Sequence, residues 1–294
     1  MTRAPARATL RRADTQHALA VMMSQRATLA PVAVRGAPNG SARRTRRAVR
    51  ARGADVVAAA SAERVEKIRA SGLTLDVFDK IQVTAGVATM RANAPDAFAD
   101  APDWLLEWFL RDRKLDADKA TEKTKKYLQW RIDDGYDALA SAPDVAEEAA
   151  TGKAVLLAER DVLGRPVVYV TLTKHDVETR ELARTCKLCV KLVDEALDAL
   201  RAEGDGASET IMCVFDLRGF SMKNADIDFV KFFIKCIFDY FPKRISQVLL
   251  IEPPWVFTPV WQIIKPLMGK YASLVKQTKA KEAKEYFSDE STLF

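Results

Sequence analysis

The chain has 294 residues, 48% of them apolar, which is enough for a sizeable core and excludes a wholly disordered chain. Its formal charge of +6 is unevenly spread: the first 54 residues hold twelve arginines, no lysine and one acid, Asp14, which leaves 34 basic and 39 acidic residues, about −5, for residues 55–294. The basic pI of 9.1 therefore belongs to the leader, and nucleic acid is not expected as a partner of the folded part.

Residues 1–54 are rich in Arg and Ala, poor in acids, and lack an apolar run of signal-peptide length, the composition of an organelle transit peptide. The run "RRTRRAVRAR" fits the end of such a peptide, with a cut near Val49-Arg50-Ala51. A basic tail that binds nucleic acid or anionic lipid is the other reading of that composition. The expected location is the chloroplast, with the mitochondrion second. No window approaches 18 uninterrupted apolar residues, so no membrane-spanning helix is expected. Four cysteines (Cys186, Cys189, Cys213, Cys236) do not suggest a disulfide framework and point to a reducing compartment.

In chain order, residues 55–70 read as a short amphipathic helix closed by Ser71-Gly72, and a mixed helical and turn segment follows. Trp104, Leu105, Trp108 and Phe109 recur at helical spacing. Leu115-Asp116 makes a break, and Ala120, Tyr127, Leu128 and Ile132 resume on a second helix. A helical subdomain is thus expected over 55–135. From about residue 153 the period changes. "AVLLAE" and "PVVYVTL" are short apolar runs joined by "RDVLGR", whose Gly164 and Pro166 mark a turn between paired strands. Leu182, Cys186, Cys189, Val193, Leu197 and Leu200 then share one helix face. Residues 210–216, 246–252 and 273–278 are further strand candidates, each separated from the next by a helix. Strands alternating with helices imply a largely parallel sheet with crossovers, so residues 150–294 are expected to form an α/β lobe.

Two helices carry more apolar surface than one buried face needs. In residues 226–241, Ile227, Val230, Ile234, Ile237, Phe238 and Phe241 form one row, and Phe229, Phe232, Phe233 and Cys236 a second; Pro242 ends the helix. Such a helix should be covered on two sides. In residues 257–268 the stripe runs Phe257, Val260, Trp261, Ile264, Leu267, Met268, with Thr258 as the cap and Pro259 in the first turn. Pro266 should shorten or bend the helix.

Other chemistries find little footing. The "CKLC" cysteines fall in mid-helix rather than at a helix start, and a zinc site would want a second close pair, whereas Cys213 and Cys236 lie 23 positions apart. His175, the sole histidine after the leader, is expected to be exposed in a loop, and no GxSxG elbow accompanies it. "EGDGASE" at 203–209 is a turn without phosphate-loop spacing, and Asp216 and Arg218 are placed to pair after a strand. The lysines at 265, 270, 276, 279, 281 and 284 form a basic face suited to water or to an anionic leaflet. No enzyme activity, cofactor or metal is expected.

Several segments together resemble the CRAL-TRIO lipid-binding domain of phosphatidylinositol-transfer and tocopherol-transfer proteins. They are "WLLEWFLRDRKLDADKATEKTKKYLQWR", "RDVLGRPVVYV", "CVFDLRGFS" and "YFPKRISQVLLIEPPWVFTPVWQIIKPLM", in that order, over about residues 75–290. The resemblance implies N-terminal helices on an α/β lobe whose sheet floors an apolar cavity, and a gate helix at 257–268 that moves at a membrane. On this basis cavity and gate residues are expected at Phe215, Phe233, Ile234, Ile237 and Phe238, and at Phe257, Val260, Trp261, Ile264 and Leu267. Headgroup candidates are Lys243, Arg244 and Lys276; Lys243 stands where phosphatidylinositol binders of the family commonly have Glu, and a cation cannot accept hydrogen bonds from inositol hydroxyls, although with Arg244 it could pair with a phosphate. The chain is expected to be a monomer that binds or transfers one hydrophobic ligand, with phospholipid favoured. The alternatives are a carrier of a small isoprenoid such as tocopherol, or a lipid-sensing regulatory or scaffold protein.

Overall fold

The computed structural model describes residues 61–204 and 208–294, apart from the side chain of Ala140. The expected leader, the start of the first helix and the centre of the turn at 203–209 lie outside the described residues.

Helix α1 (Ala62–Ser71) starts where the Ser61 side chain accepts from the Arg64 amide. Three helices then pack together: α2 (Lys80–Asn93), α3 (Asp103–Asp112) and α4 (Ala117–Asp133). The break between α3 and α4 is a left-handed turn at Lys114 and Leu115, followed by Asp116, whose side chain caps α4. Val83, Val87 and Met90 of α2 meet Leu106 and Leu110 of α3 and Ala120 of α4. Gly86 permits that approach, because a Cβ there would stand 2.4 Å from Leu110 Cδ2. The helical part runs beyond residue 135, through a 3₁₀ turn (Tyr136–Ser141) and α5 (Pro143–Ala150).

The lobe is built on five strands in the order β1-β2-β3-β4-β5. These are β1 (Ala154–Arg160), β2 (Pro166–Thr171), β3 (Ile211–Asp216), β4 (Ile245–Ile251) and β5 (Val275–Thr278). The first pair is the antiparallel hairpin and the rest are parallel, as the alternation of strands and helices predicts. The crossovers are α6 (Leu182–Glu203), α7 (Ile227–Lys235) and α8 (Thr258–Met268), and a short α9 (Ala280–Ala283) follows β5.

Side chains alternate across the sheet. Val167, Met212, Val214, Leu249 and Ile251 point to a back face covered by Ile68 of α1 and by Ala283, Tyr286 and Phe287. Arg64 ties these covers together by donating to the carbonyls of Lys284, Glu285 and Phe287. Val168, Cys213, Val248 and Leu250 point to the front, toward the crossover helices.

Two of the helices depart from their predicted form. The residue 226–241 helix is regular only to Lys235; Cys236–Tyr240 form a wider π turn, closed by Phe241 N–H donating to the Cys236 carbonyl at 2.9 Å. In α8 the cap position is Phe257, inside a 3₁₀ turn, and Thr258 makes no capping bond. Pro259 occupies the first turn as expected. Pro266 does not cut the helix, which reaches Met268, because the carbonyl it deprives is that of exposed Gln262 and the helix ends two residues on at left-handed Gly269.

The hairpin turn is fixed to the rest of the sheet by a buried ion pair. Asp161 accepts from the backbone amides of Leu163 and Arg165 at 3.0 and 2.7 Å and from Arg165 Nε at 2.6 Å, while Arg165 Nη1 donates to Ser246 Oγ of β4 at 2.8 Å. Both side chains are almost wholly buried. Removing one partner strands a charge, so Asp161→Ala should destabilise the fold by about 3–5 kcal/mol. A denaturant midpoint within error of wild type would show that the pair is not needed.

Candidate binding cavity

A cavity of about 150 Å³ lies between the front of the sheet and α6, α7 and α8. Its floor is made by alternate strand residues, Val168 and Val170 of β2, Cys213 and Phe215 of β3, and Val248 and Leu250 of β4. Leu188, Cys189 and Leu192 of α6 and Phe229, Phe233 and Ile234 of α7 form two walls. Phe257, Trp261 and Ile264 form the third, on or just before α8. The rings pack edge to face, Phe215 on Phe233 at 5.7 Å and Phe220 on Phe257 at 5.4 Å.

Six predicted cavity residues, Phe215, Phe233, Ile234, Phe257, Trp261 and Ile264, are thus brought together on one lining. Four are not. Ile237 and Phe238 face a separate small space beside Met268 and Tyr271, with Phe238 stacked on Tyr271 at 4.4 Å. The π turn rotates them away from the stripe that a regular helix would continue. Val260 is buried beside the lining, and Leu267 is 46% exposed because Met268, four residues after Ile264, takes the inward place.

The three predicted headgroup cations are all engaged outside the cavity. Lys243, in a left-handed backbone conformation, donates to Asp76 at 2.8 Å. Arg244 lies over the Trp108 ring and donates to the Glu209 carbonyl at 3.1 Å, and burial pushes its pKa well down. Lys276 pairs in register with back-face Leu249 and sits over Tyr286.

One end of the cavity is polar, and here the sequence reading of His175 is overturned. His175 is only 6% exposed. Its Nε2 meets Asp226 Oδ2 at 3.0 Å and its Nδ1 lies 3.4 Å from Lys153 Nζ. An ammonium only donates, so His175 Nδ1 accepts and Nε2 carries the proton. Lys153 also meets Glu148 at 2.5 Å and Thr185 Oγ1 at 3.3 Å. Arg180 clamps Asp226 through Nε and Nη2 at 2.6 and 3.1 Å. Asp226 in turn caps α7 by accepting from the Phe229 amide at 3.0 Å, and Asn224 Nδ2 donates to the His175 carbonyl at 2.7 Å. Burial opposes the charged form of Asp226, but Arg180, the helix amide and His175 outweigh it and hold its pKa down at about 2. Burial likewise opposes ionisation of Glu148, and Lys153 and Thr185 overcome it. Burial lowers the pKa of His175, with Lys153 and Arg180 acting in the same direction against Asp226.

The cysteines behave as small hydrophobes. Cys186, Cys213 and Cys236 are buried, and burial pushes the Cys186 thiol up to about 12 and the other two well above their ordinary value. Such thiols are poor nucleophiles and ligands. Asp216 and Arg218 pair as expected, at 2.6 Å, and Tyr169 donates to Asp216.

A family model described as the CRAL/TRIO domain matches residues 150–290. These residues are a CRAL/TRIO domain. Phosphatidylinositol transfer protein CSR1 of Eremothecium gossypii is 29% identical over 201 residues, 65% of this chain and 45% of that protein. A CRAL-TRIO domain-containing protein of Schizosaccharomyces pombe is 30% identical over 204 residues, 66% of this chain and 45% of that protein. The matches therefore span less than half of the length of either relative. The crystal structure of Sfh5 superposes with a TM-score of 0.57 over 72% of this chain and 85% of that chain, at 14% identity, and shows the shared fold. In this CRAL/TRIO domain the polar end is hidden in the sequence, because His175 meets Lys153 and Asp226 from 22 and 51 positions away. Asp226 ahead of an apolar helix was the one available signal, as a capping residue.

The polar end sets a pH dependence. An unfolded histidine titrates near 6.5 and the folded one lower, so below about pH 6.5 the unfolded chain binds more protons and stability falls as pH falls. Asp226 adds its loss only below its unfolded value, toward about 2. The melting temperature should fall between pH 7 and 5, and His175→Gln should flatten that slope. An identical slope in the variant would remove His175 from the account.

Proposed function

We propose that this chain is a non-enzymatic lipid-binding and lipid-transfer protein that holds one hydrophobic ligand in the cavity, with residues 257–268 as its gate. The observation that carries the reading is that the gate segment and the turn before it bear large apolar residues on the outer as well as the inner side. Phe257, Val260, Ile264 and Met268 are buried inward. Trp255, Ile263 and Leu267 face outward at 87%, 53% and 46% exposure. A helix that only closed a core would be polar outside. Here the outer residues suit an acyl environment, and exposed Lys265 and Lys270 flank them. Near an anionic leaflet each cation contributes about 1 kcal/mol.

The hinge chemistry is consistent with movement. Pro253 and Pro254 precede the segment, Pro266 weakens its last turn and Gly269 follows in a left-handed conformation. The relative from Eremothecium gossypii is a phosphatidylinositol transfer protein, which supports transfer as the activity. The protein acts as a monomer in transient contact with a membrane surface, and no nucleic acid takes part. The Arg-rich leader directs it to the plastid, with the mitochondrion as the second choice.

Trp261→Asp places a charge on the cavity wall, where it has no partner. It should abolish lipid exchange between liposomes while unfolding remains cooperative, and wild-type exchange rates in the variant would refute the gate. A fluorescent reporter fused behind residues 1–54 should collect in plastids of a plant or algal cell; a reporter spread through the cytosol would refute the targeting.

A further inference from the structure

Resting on the lipid-binding reading, we infer that the cargo is an uncharged lipid with one hydrogen-bonding oxygen seated against Lys153, and not an anionic phospholipid. The lining holds two formal charges, Lys153 and Asp226. Each is neutralised where it stands: Lys153 by Glu148 at 2.5 Å, with side chains 8% and 11% exposed, and Asp226 by Arg180 at 2.6 Å, with side chains 4% and 17% exposed. The oxygens of Asp226 are saturated by Arg180, His175 and the Phe229 amide. A phosphate drawn onto this lining would be an additional charge without a counter-ion, which a buried site penalises heavily.

Lys153 nevertheless has something to offer a ligand. Its bond to Glu148 is short, whereas its contacts to Thr185 and His175 are long, at 3.3 and 3.4 Å. Exchanging one long contact for a bond to a hydroxyl or carbonyl oxygen leaves the ion pair intact. The other lining atoms at that end are spent: Asn224 holds the His175 carbonyl and Ser221, and the Thr185 hydroxyl donates to Glu148. One oxygen is therefore what the site can take.

The rest of the geometry agrees. Of the cations that would have met a phosphate, Lys243 is taken by Asp76 and Arg244 by Trp108 and the Glu209 carbonyl, and Lys276 lies on the back of the sheet, over Tyr286. The cavity volume of about 150 Å³ lies below the roughly 300–1,000 Å³ of pockets that hold drug-sized ligands. A slim single-chain or fused-ring lipid asks less displacement of α8 than two acyl chains do.

The test exposes the full chain to phosphatidylcholine vesicles that contain, at equal mole fraction in separate runs, oleyl alcohol, α-tocopherol or phosphatidylinositol. The protein is re-isolated and its lipid quantified by mass spectrometry. Retention of oleyl alcohol or α-tocopherol at least about tenfold over phosphatidylinositol and over the carrier phospholipid is expected, the discrimination of roughly one good hydrogen bond to a charged donor. Equal or preferential retention of either phospholipid overturns this inference and leaves lipid binding standing. Retention of no lipid from any vesicle overturns both. The double variant Glu148→Gln/Lys153→Met removes the ion pair without leaving a lone charge. It should cut the preference for oleyl alcohol over 1-octadecene about tenfold, and an unchanged ratio would unseat Lys153.

Discussion

Everything in the lobe depends on covering a parallel sheet that is apolar on both faces. β3 and β4 are buried along nearly their whole length, so neither side can be left to water. The back is closed tightly by α1 and the segment after β5, with Tyr286 and Phe287 almost fully buried. The front is covered by three crossover helices, two of them bearing large rings. Phe229 and Phe233, one turn apart on α7, both turn their rings into the space between the helix and the sheet. A close-packed core leaves few voids larger than a water molecule. The front of this sheet departs from that rule, with a cavity lined by rings from two of its covering helices.

What holds α7 in that position is polar. Asp226 caps the helix, and its carboxylate is fixed by Arg180 from the loop ahead of α6 and by His175 from the loop after β2. His175 contacts Lys153 at the start of β1, which reaches Glu148 at the end of α5. One chain of hydrogen bonds therefore joins the lead-in helices, the hairpin edge and the roof of the cavity. Charges this buried are strongly destabilising when separated, so the network acts as one unit and fixes one geometry.

The fold was legible because its signals are local. Short Val-rich and Leu-rich runs marked the strands, Gly164 and Pro166 marked the hairpin, and the alternation of runs and helices gave a parallel sheet. Six cavity residues followed from the family resemblance together with the helix and strand periods. The failures are non-local or sub-helical. A single π turn moved Ile237 and Phe238 off the lining, and no residue in "KCIFDYF" announces an extra residue per turn. His175 was misread because a histidine after a strand is exposed unless something 51 residues away closes over it, and Asp226 does. Lys243 and Arg244 were read from their place in a motif, but Asp76 and Trp108, on the helical subdomain and its lead-in, claim them first.

The two-sided apolarity of α8 also decides where a gate could operate. Swinging it into water would expose Phe257, Val260, Ile264 and Met268, at about 1.5–3 kcal/mol each, a total on the order of 6–12 kcal/mol. At 1.4 kcal/mol per factor of ten, the open form in water is then populated at about one part in ten thousand or less. Against an acyl layer the same side chains pass from one apolar medium to another, and that cost largely vanishes. Trp255, Ile263 and Leu267 meanwhile lose the water they already face. On the proposed gate reading, the composition of the helix itself would suppress opening in solution and release it at a membrane.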